Sequence, residues 1–142
     1  MTLYLDTSAV VKLYASEPGS VEIRREVASA SPIVSSLLTY VETRSALARK
    51  YRSREIDALM LGTGKADFEA DWRVFTKIAS DAAIVRRAGD LAEQLRLRAY
   101  DSIHLATAER LSRDIRSQVG FACFDAALNQ AASMLGFIIV VS

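Results

Sequence analysis

The sequence has little of what marks secreted or membrane-spanning proteins. Its 142 residues include a single cysteine, so no internal disulfide can form, as is usual in a reducing cytoplasm. No apolar run approaches the roughly 20 residues that a membrane helix needs. The N-terminus lacks a basic region followed by a long apolar stretch, which excludes a typical secretory signal. We therefore expect a cytoplasmic protein without membrane contact.

An excess of charge of one sign is also missing. Eighteen Lys and Arg residues face seventeen Asp and Glu residues, for a net charge of +1. Net charge therefore supplies no attraction to nucleic acid, and a nucleic-acid partner would need a local basic patch. The length and an apolar content of 51% fit one domain, residues 1–142, with a sizeable core. Repeats, low-complexity tracts and linkers are absent.

Short apolar segments alternate with helical patterns along the chain. The helical patterns include two helices, Glu55–Leu61 and Ala66–Ile78, placed on either side of Gly62-Thr63-Gly64. The four predicted strands are Leu3–Leu5, Pro32–Ser35, Val119–Phe124 and Phe137–Val141. Such alternation indicates an α/β fold with a short-stranded parallel sheet and helices on both faces. Active sites in these folds lie beyond the carboxyl ends of the strands.

Four acidic residues fall where that edge is expected. Asp6 follows the first strand in "LYLDTSAVVKLY", and Asp125 closes the third in "VGFACFD". Glu42 lies early in the helix after the second strand, and Asp101 begins the helix "YDSIHLATAERL". Each acid alone has a simpler explanation, as a helix cap, a favourable charge at a helix N-terminus or a solvated side chain. Their joint placement predicts that they converge.

Convergence of these acids has an electrostatic consequence. Two carboxylates about 5 Å apart repel by roughly 3 kcal/mol at an effective dielectric constant near 20. A hard divalent cation such as Mg²⁺ or Mn²⁺ relieves this repulsion while retaining several waters. Such an ion activates water and stabilises charge on a phosphoryl oxygen, which favours phosphodiester hydrolysis. The spacing of the acids still leaves several classes of metal enzyme open.

The same segments resemble a known family. "LYLDTSAVVKLYASEPGS", "VETRSALARK", "LRAYDSIHLATA" and an aspartate after an apolar strand are similar, in this order, to the PIN-domain ribonucleases. The resemblance is strongest to the VapC-type toxins of toxin–antitoxin pairs. It implies a three-layer α/β/α sandwich that binds Mg²⁺ or Mn²⁺ and cleaves RNA. It further implies a homodimer and a cognate antitoxin protein.

The resemblance also implies roles for individual residues. Asp6, Glu42, Asp101 and Asp125 match the family's acidic cluster, with Asp6 and Asp101 as the first candidates for metal ligands. Glu42 and Asp125 would complete the metal shell through water or orient the nucleophile. Ser8, and also Thr7, match a hydroxyl that hydrogen-bonds a ligand carboxylate.

Two positions near the acids need separate mention. The family often has Ser or Thr two residues before its last aspartate, where this sequence has Cys123, so we expect weaker local support for Asp125. His104 lies one helical turn after Asp101, and its position in the motif is typical of a structural residue. Metal-assisted hydrolysis does not require it.

Basic residues concentrate on the helix that carries Glu42. We expect Arg44 and Arg49 to bind RNA phosphates, although a solvated helix face is the alternative explanation. Two other functions remain open from the sequence. A haloacid-dehalogenase-type phosphatase also begins with a strand followed by aspartate, but it needs a second aspartate where Ser8 stands. A non-catalytic PIN-like module that binds RNA or protein would have no need of the acidic cluster.

Overall fold

A computed structural model describes residues 1–142 and has at its centre a sheet of five parallel strands. The strands are β1 (Leu3–Leu5), β2 (Ile33–Ser36), β3 (Thr76–Ile78), β4 (Gly120–Ala122) and β5 (Ile138–Ile139). Their order across the sheet is β3-β2-β1-β4-β5. β1 is central, since Leu3 is in register with Ile33 on one side and Gly120 on the other. The strand order therefore reverses at β1, where α/β sheets open a crevice at their carboxyl ends.

Seven helices connect and cover the strands. They are α1 (Thr7–Tyr14), α2 (Ser20–Ser29), α3 (Thr39–Arg52), α4 (Ala58–Trp72), α5 (Ala82–Leu95), α6 (Ala99–Ile115) and α7 (Ala126–Met134). None of them combines the length and the apolar character needed to span a bilayer.

Two hydrophobic cores lie on opposite faces of the sheet, because side chains alternate along a strand. Tyr4 packs with Phe121 in the larger core, which α5, α6 and α7 cover. Leu3 and Leu5 point to the other face, where α1, α2 and α4 supply residues such as Val10. The predicted three-layer α/β/α sandwich with a short-stranded parallel sheet is confirmed.

The segment between Glu55 and Ile78 differs from the prediction. A single helix, α4, replaces the two expected helices, and the predicted end of the second is instead the edge strand β3. Gly64 does not interrupt the helix; a Cβ there would lie 2.8 Å from the carbonyl oxygen of Tyr14, so glycine permits α4 to pack closely on α1. β3 has only three residues, and its first, Thr76, is exposed, so neither length nor alternation marks it as a strand.

Candidate active site

Asp6 stands at the carboxyl end of the central strand and is the N-cap of α1. Its Oδ1 accepts hydrogen bonds from the Ala9 amide at 2.9 Å and the Ser8 hydroxyl at 2.7 Å. Ser8 Oγ in turn accepts a hydrogen bond from the Phe124 amide, which ties α1 to the end of β4. Asp6 Oδ2 accepts no hydrogen bond from the protein, so it remains available to a ligand. The cap explanation and the site explanation of Asp6 are therefore compatible.

Glu42 belongs to a network that reaches into the core. In the first turn of α3, its Oε1 accepts a hydrogen bond from Thr7 Oγ1 at 2.7 Å and lies 3.1 Å from His104 Nε2. The Nδ1 atom of His104 lies 2.8 Å from the hydroxyl oxygen of the fully buried Tyr4. A proton on Nε2 satisfies this geometry, because His104 then donates to Glu42 and accepts from Tyr4. The side chain of Glu42 is thus held from two directions.

Asp101 and Asp125 are bridged by an arginine. Arg98 Nε donates to Asp101 Oδ2 at 3.1 Å, and its terminal nitrogen lies 3.5 Å from Asp125 Oδ2. Asp125 Oδ1 caps α7 by accepting from the Leu128 amide. The Cys123 thiol accepts the amide hydrogen of Asp125 at 3.3 Å, in the place where a hydroxyl was expected. Arg98 thereby links two aspartates that are 24 residues apart in the sequence, Asp101 in α6 and Asp125 at the start of α7.

The shifted pKa values connect these groups electrostatically. Burial raises the pKa of Asp6 above its ordinary value, and the negative charge of Asp101 adds to the rise, although His104 and Ser8 oppose it. For Glu42, burial acts in the same direction, but the hydrogen bonds from His104 and Thr7 outweigh it and lower the pKa. Asp6 therefore resists ionisation in the fold, whereas Glu42 is stabilised as a carboxylate.

The arrangement supplies oxygen donors without forming a closed metal cage. No three acidic, histidine or cysteine side chains stand close enough together to hold an ion between them. Mg²⁺ commonly uses only one or two carboxylates together with water and substrate phosphate. Asp6 and Asp101 each keep one oxygen that accepts no hydrogen bond from the protein, so the donor set fits such a hard cation.

The two arginines expected to bind phosphate have different surroundings. Arg44 donates to Glu69 at 3.2 Å and to the Tyr40 hydroxyl, so its guanidinium is engaged with side chains of α3 and α4. Arg49 forms no ion pair and lines a cavity of about 360 Å³ together with Thr7 and Glu42. Of the two, only Arg49 borders the acidic site.

Residues missed by the sequence analysis complete the site. Arg98 lies three residues before Asp101, and this spacing on a helix start is a signal that could have found it. Tyr4 was treated only as part of a buried strand. His104 was interpreted as structural, yet it contacts Glu42 as well as the core. The two largest cavities, of about 730 and 700 Å³, contain none of the four acids, so cavity size does not identify this site.

Comparison with known protein families identifies the family of this chain. The family model described as "PIN domain" matches residues 3–115, which include three of the four acids, the residues that contact Glu42, and Arg98. The chain belongs to the PIN domain family.

Relatives of this PIN-domain chain are ribonucleases by name. It is 34% identical over 142 residues to Ribonuclease VapC46 of Mycobacterium tuberculosis, covering 97% of this chain and 95% of the relative. It is also 34% identical over 106 residues to Ribonuclease VapC49 of the same organism, covering 75% and 74% of the two chains.

Solved structures share the fold. VapC20 of Mycobacterium tuberculosis, a toxin that cleaves the sarcin–ricin loop, superposes with a TM-score of 0.69 at 19% identity and covers 99% of both chains. FitAcB from Neisseria gonorrhoeae gives a TM-score of 0.67 at 20% identity over 94% of both chains. A toxin–antitoxin complex from Klebsiella pneumoniae gives 0.58 at 19% identity, covering 83% of both chains. At these identities the superpositions describe a shared PIN fold.

Proposed function

We propose that this PIN-domain chain is a Mg²⁺- or Mn²⁺-dependent ribonuclease, and the toxin of a toxin–antitoxin pair acting in the cytoplasm. The observation that carries the proposal is the contact of Arg98 with both Asp101 and Asp125, beside a buried Asp6 carboxylate whose pKa the charge of Asp101 raises. The ribonuclease names of relatives at 34% identity support the reaction class.

Asp6 and Asp101 are the proposed metal ligands, because each offers an oxygen that is free of protein hydrogen bonds. Glu42 and Asp125 are proposed to act from the margin of the site, through water or by orienting the nucleophile. A bound divalent cation supplies an activated water and offsets negative charge on the phosphoryl oxygens. Ser8 fixes Asp6, and Thr7 fixes Glu42, so both carboxylates are oriented before RNA arrives.

A phosphatase of the haloacid-dehalogenase type does not fit these contacts. That chemistry needs an acid two residues after Asp6, and Ser8 there is occupied as a donor to Asp6 and an acceptor from Phe124. Membership of the PIN domain family also argues against this phosphatase alternative. A module that only binds RNA or protein is the remaining competitor, and the experiment below separates it from the enzyme.

Cleavage of a mixed pool of single-stranded and structured RNAs, with Mg²⁺, Mn²⁺ or a chelator, tests the proposal. We expect metal-dependent cutting that falls by roughly 100-fold or more in Asp6→Asn and Asp101→Asn, since both changes remove a ligand oxygen charge. Asp114→Asn is the matched control, because Asp114 is an exposed residue near the other end of α6. Cutting that survives a chelator, or that Asp101→Asn leaves intact, would contradict the proposal.

Calorimetric titration with Mn²⁺ distinguishes an enzyme whose RNA substrate was missing from the pool from a module that only binds. If folded wild-type protein cuts no RNA but gives a heat of Mn²⁺ binding that Asp6→Asn lacks, the metal site is present and the correct RNA was absent from the pool. Absence of any Asp6-dependent heat, together with absence of cutting, would favour the module.

We further propose an antitoxin protein as a partner and a homodimer as the state of the free chain. A toxin–antitoxin complex among the solved structures with this fold supports the first. Co-expression with the product of an adjacent short reading frame should relieve growth inhibition and give a complex that co-purifies. Light scattering at micromolar concentration tests the second, and a monomer there would count against the dimer.

A further inference from the structure

A cavity beside the acids is bordered by the ring of Tyr100, which forms no contact with another aromatic ring. About 360 Å³ in volume, it is lined by Thr7 and Glu42, which belong to the site, and also by Val41, Arg49 and Tyr100. Tyr100 is 60% exposed and Val41 is 61% exposed. We propose that this cavity binds an unpaired nucleotide of the RNA next to the scissile phosphate, with its base on the Tyr100 ring and its phosphate at Arg49.

Tyr100 is placed to act on substrate because it directly precedes Asp101 at the start of α6. Most other large aromatic rings are engaged, as when Tyr4 stacks on Phe121 and Trp72 contacts three other rings; Tyr51 is exposed but lies outside this cavity. The Tyr100 ring forms no aromatic pair and no cation–π contact, and its hydroxyl forms no hydrogen bond. An exposed ring at the border of a reactive site offers a stacking face, and base–aromatic stacking contributes about 1–3 kcal/mol per base.

A positive charge that lines the same cavity indicates the second half of the ligand. Arg49 is exposed and has no carboxylate partner, unlike Arg44, which Glu69 holds. A guanidinium that is free of ion pairs is well suited to a phosphate oxygen. Arg49 lies about two helical turns after Glu42 on α3, and this separation suits a nucleotide whose reacting phosphate lies over the acids and whose neighbouring phosphate lies at Arg49.

The cavity also selects the kind of RNA. Bases within an A-form duplex are stacked on their neighbours and their major-groove edges are inaccessible to side chains, so Tyr100 can reach only a base that is already unpaired. This inference rests on the proposed ribonuclease function and narrows its substrates to single strands, loops or bulges.

Binding is measured separately from cleavage. Short single-stranded RNAs, each carrying the fluorescent base 2-aminopurine at one position, are titrated with wild-type protein in chelator and low salt. We expect quenching at one or two positions and none when the same RNAs are annealed to their complements. Tyr100→Leu should abolish the quenching and weaken binding roughly tenfold, whereas Tyr100→Phe should retain both. Tyr51→Leu, at an exposed tyrosine of α3 outside the cavity, should behave as wild type.

Arg49→Gln tests the phosphate contact through salt dependence. The slope of log affinity against log salt concentration should fall by about 0.7, the contribution of one phosphate contact in a single strand. Arg86→Gln, at an exposed arginine of α5 away from the cavity, should leave that slope unchanged. Quenching that persists in Tyr100→Leu, quenching that is equal in duplex RNA, or none with any RNA would overturn the nucleotide site. Loss of RNA cleavage with Tyr100-dependent quenching intact would instead count against the ribonuclease function alone.

Discussion

The two halves of the acidic site are built in different ways. In the buried half, comprising Tyr4, Thr7, Glu42 and His104, hydrogen bonds run from the core to the carboxylate, and the His104 side chain is only 4% exposed. In the open half, comprising Arg98, Asp101 and Asp125, an arginine that is 78% exposed holds the aspartates. The first half depends on packing and the second on a contact that salt can screen.

This difference suggests that the two halves have different roles, one orienting a carboxylate and the other exchanging one cation for another. Hydrogen bonds among buried groups fix one geometry, because an unpaired group there would incur the full cost of its lost hydration. Exposed ion pairs contribute little to stability, so Arg98 can leave the aspartates at small cost when another cation arrives. We infer that the buried half keeps Glu42 in place while the open half accommodates metal and substrate.

His104→Ala should break the buried half most severely. It removes a side chain that contacts both Tyr4 and Glu42 and leaves a cavity in the larger core, so we expect a loss of about 3 kcal/mol in the free energy of unfolding. Urea denaturation followed by circular dichroism measures the loss. Tyr4→Phe, which removes only the hydroxyl, should cost about 1 kcal/mol.

A double-mutant cycle between these two positions isolates the network from packing. If the costs of His104→Ala and Tyr4→Phe simply add, the hydrogen bond between them contributes nothing, and the proposed difference between the two halves loses its main support.

Glu42→Gln should cost about 1 kcal/mol at pH 7, because hydrogen bonds from Thr7 and His104 to a charged acceptor are stronger than those to an amide oxygen. The folded pKa of Glu42 lies below its ordinary value of 4.5, so its contribution is complete above pH 4.5 and is lost as the pH falls through the folded value. Urea titrations at pH 7, 5 and 3 should therefore show the same penalty at the two higher pH values and a smaller penalty at pH 3. A penalty that does not depend on pH would indicate lost packing in place of lost charge.

Asp6→Asn should act in the opposite direction. Asparagine caps helices as well as aspartate does, and the change removes a buried charge whose folded pKa is raised above its ordinary value of 3.8. We expect a gain of roughly 0.5–1 kcal/mol at pH 7, a size common when an active-site charge is removed. Protonated Asp6 is the form that the fold favours, so the gain should vanish below pH 3.8.

Saturating Mn²⁺ should stabilise wild type but not Asp6→Asn and so reduce or reverse the difference between them. Thermal melts with and without Mn²⁺ measure this. An Asp6→Asn protein that is less stable than wild type at pH 7 without metal would show that the cap, and not the buried charge, dominates at this position.

The positions of the acids could be predicted because each follows a local signal, a short apolar run before Asp6 and Asp125 or the start of a helix at Asp101. The buried half could not be predicted to the same degree. Alternation along β1 shows that Tyr4 points away from Leu3 and Leu5, but not that α6 covers that face and brings His104 there. This pairing joins residues 100 positions apart and depends on tertiary packing.

The contacts of the open half could not be predicted from the sequence for a different reason, the backbone conformation just before Arg98. Arg96 ends α5 in the left-handed conformation, with a φ of 55°, two residues before Arg98. An arginine is not a residue whose presence predicts positive φ. The edge strand β3 was missed for a comparable reason, since its place beside β2 is set by pairing and not by its own pattern.

Arg98→Gln should have the smallest effect on stability and the most specific effect on the site. Because the guanidinium is exposed, we expect the free energy of unfolding to change by less than about 0.5 kcal/mol. Removal of a positive charge that contacts Asp101 and Asp125 should raise Mn²⁺ affinity about threefold at low salt, and the rise should fade as salt screens the charges. Calorimetry gives the affinity directly.

Arg86→Gln, an equal charge change at an exposed, unpaired arginine of α5, is the control. Equal Mn²⁺ affinities for the two variants would mean that Arg98 does not compete with the cation, and the open half would then be as fixed as the buried one.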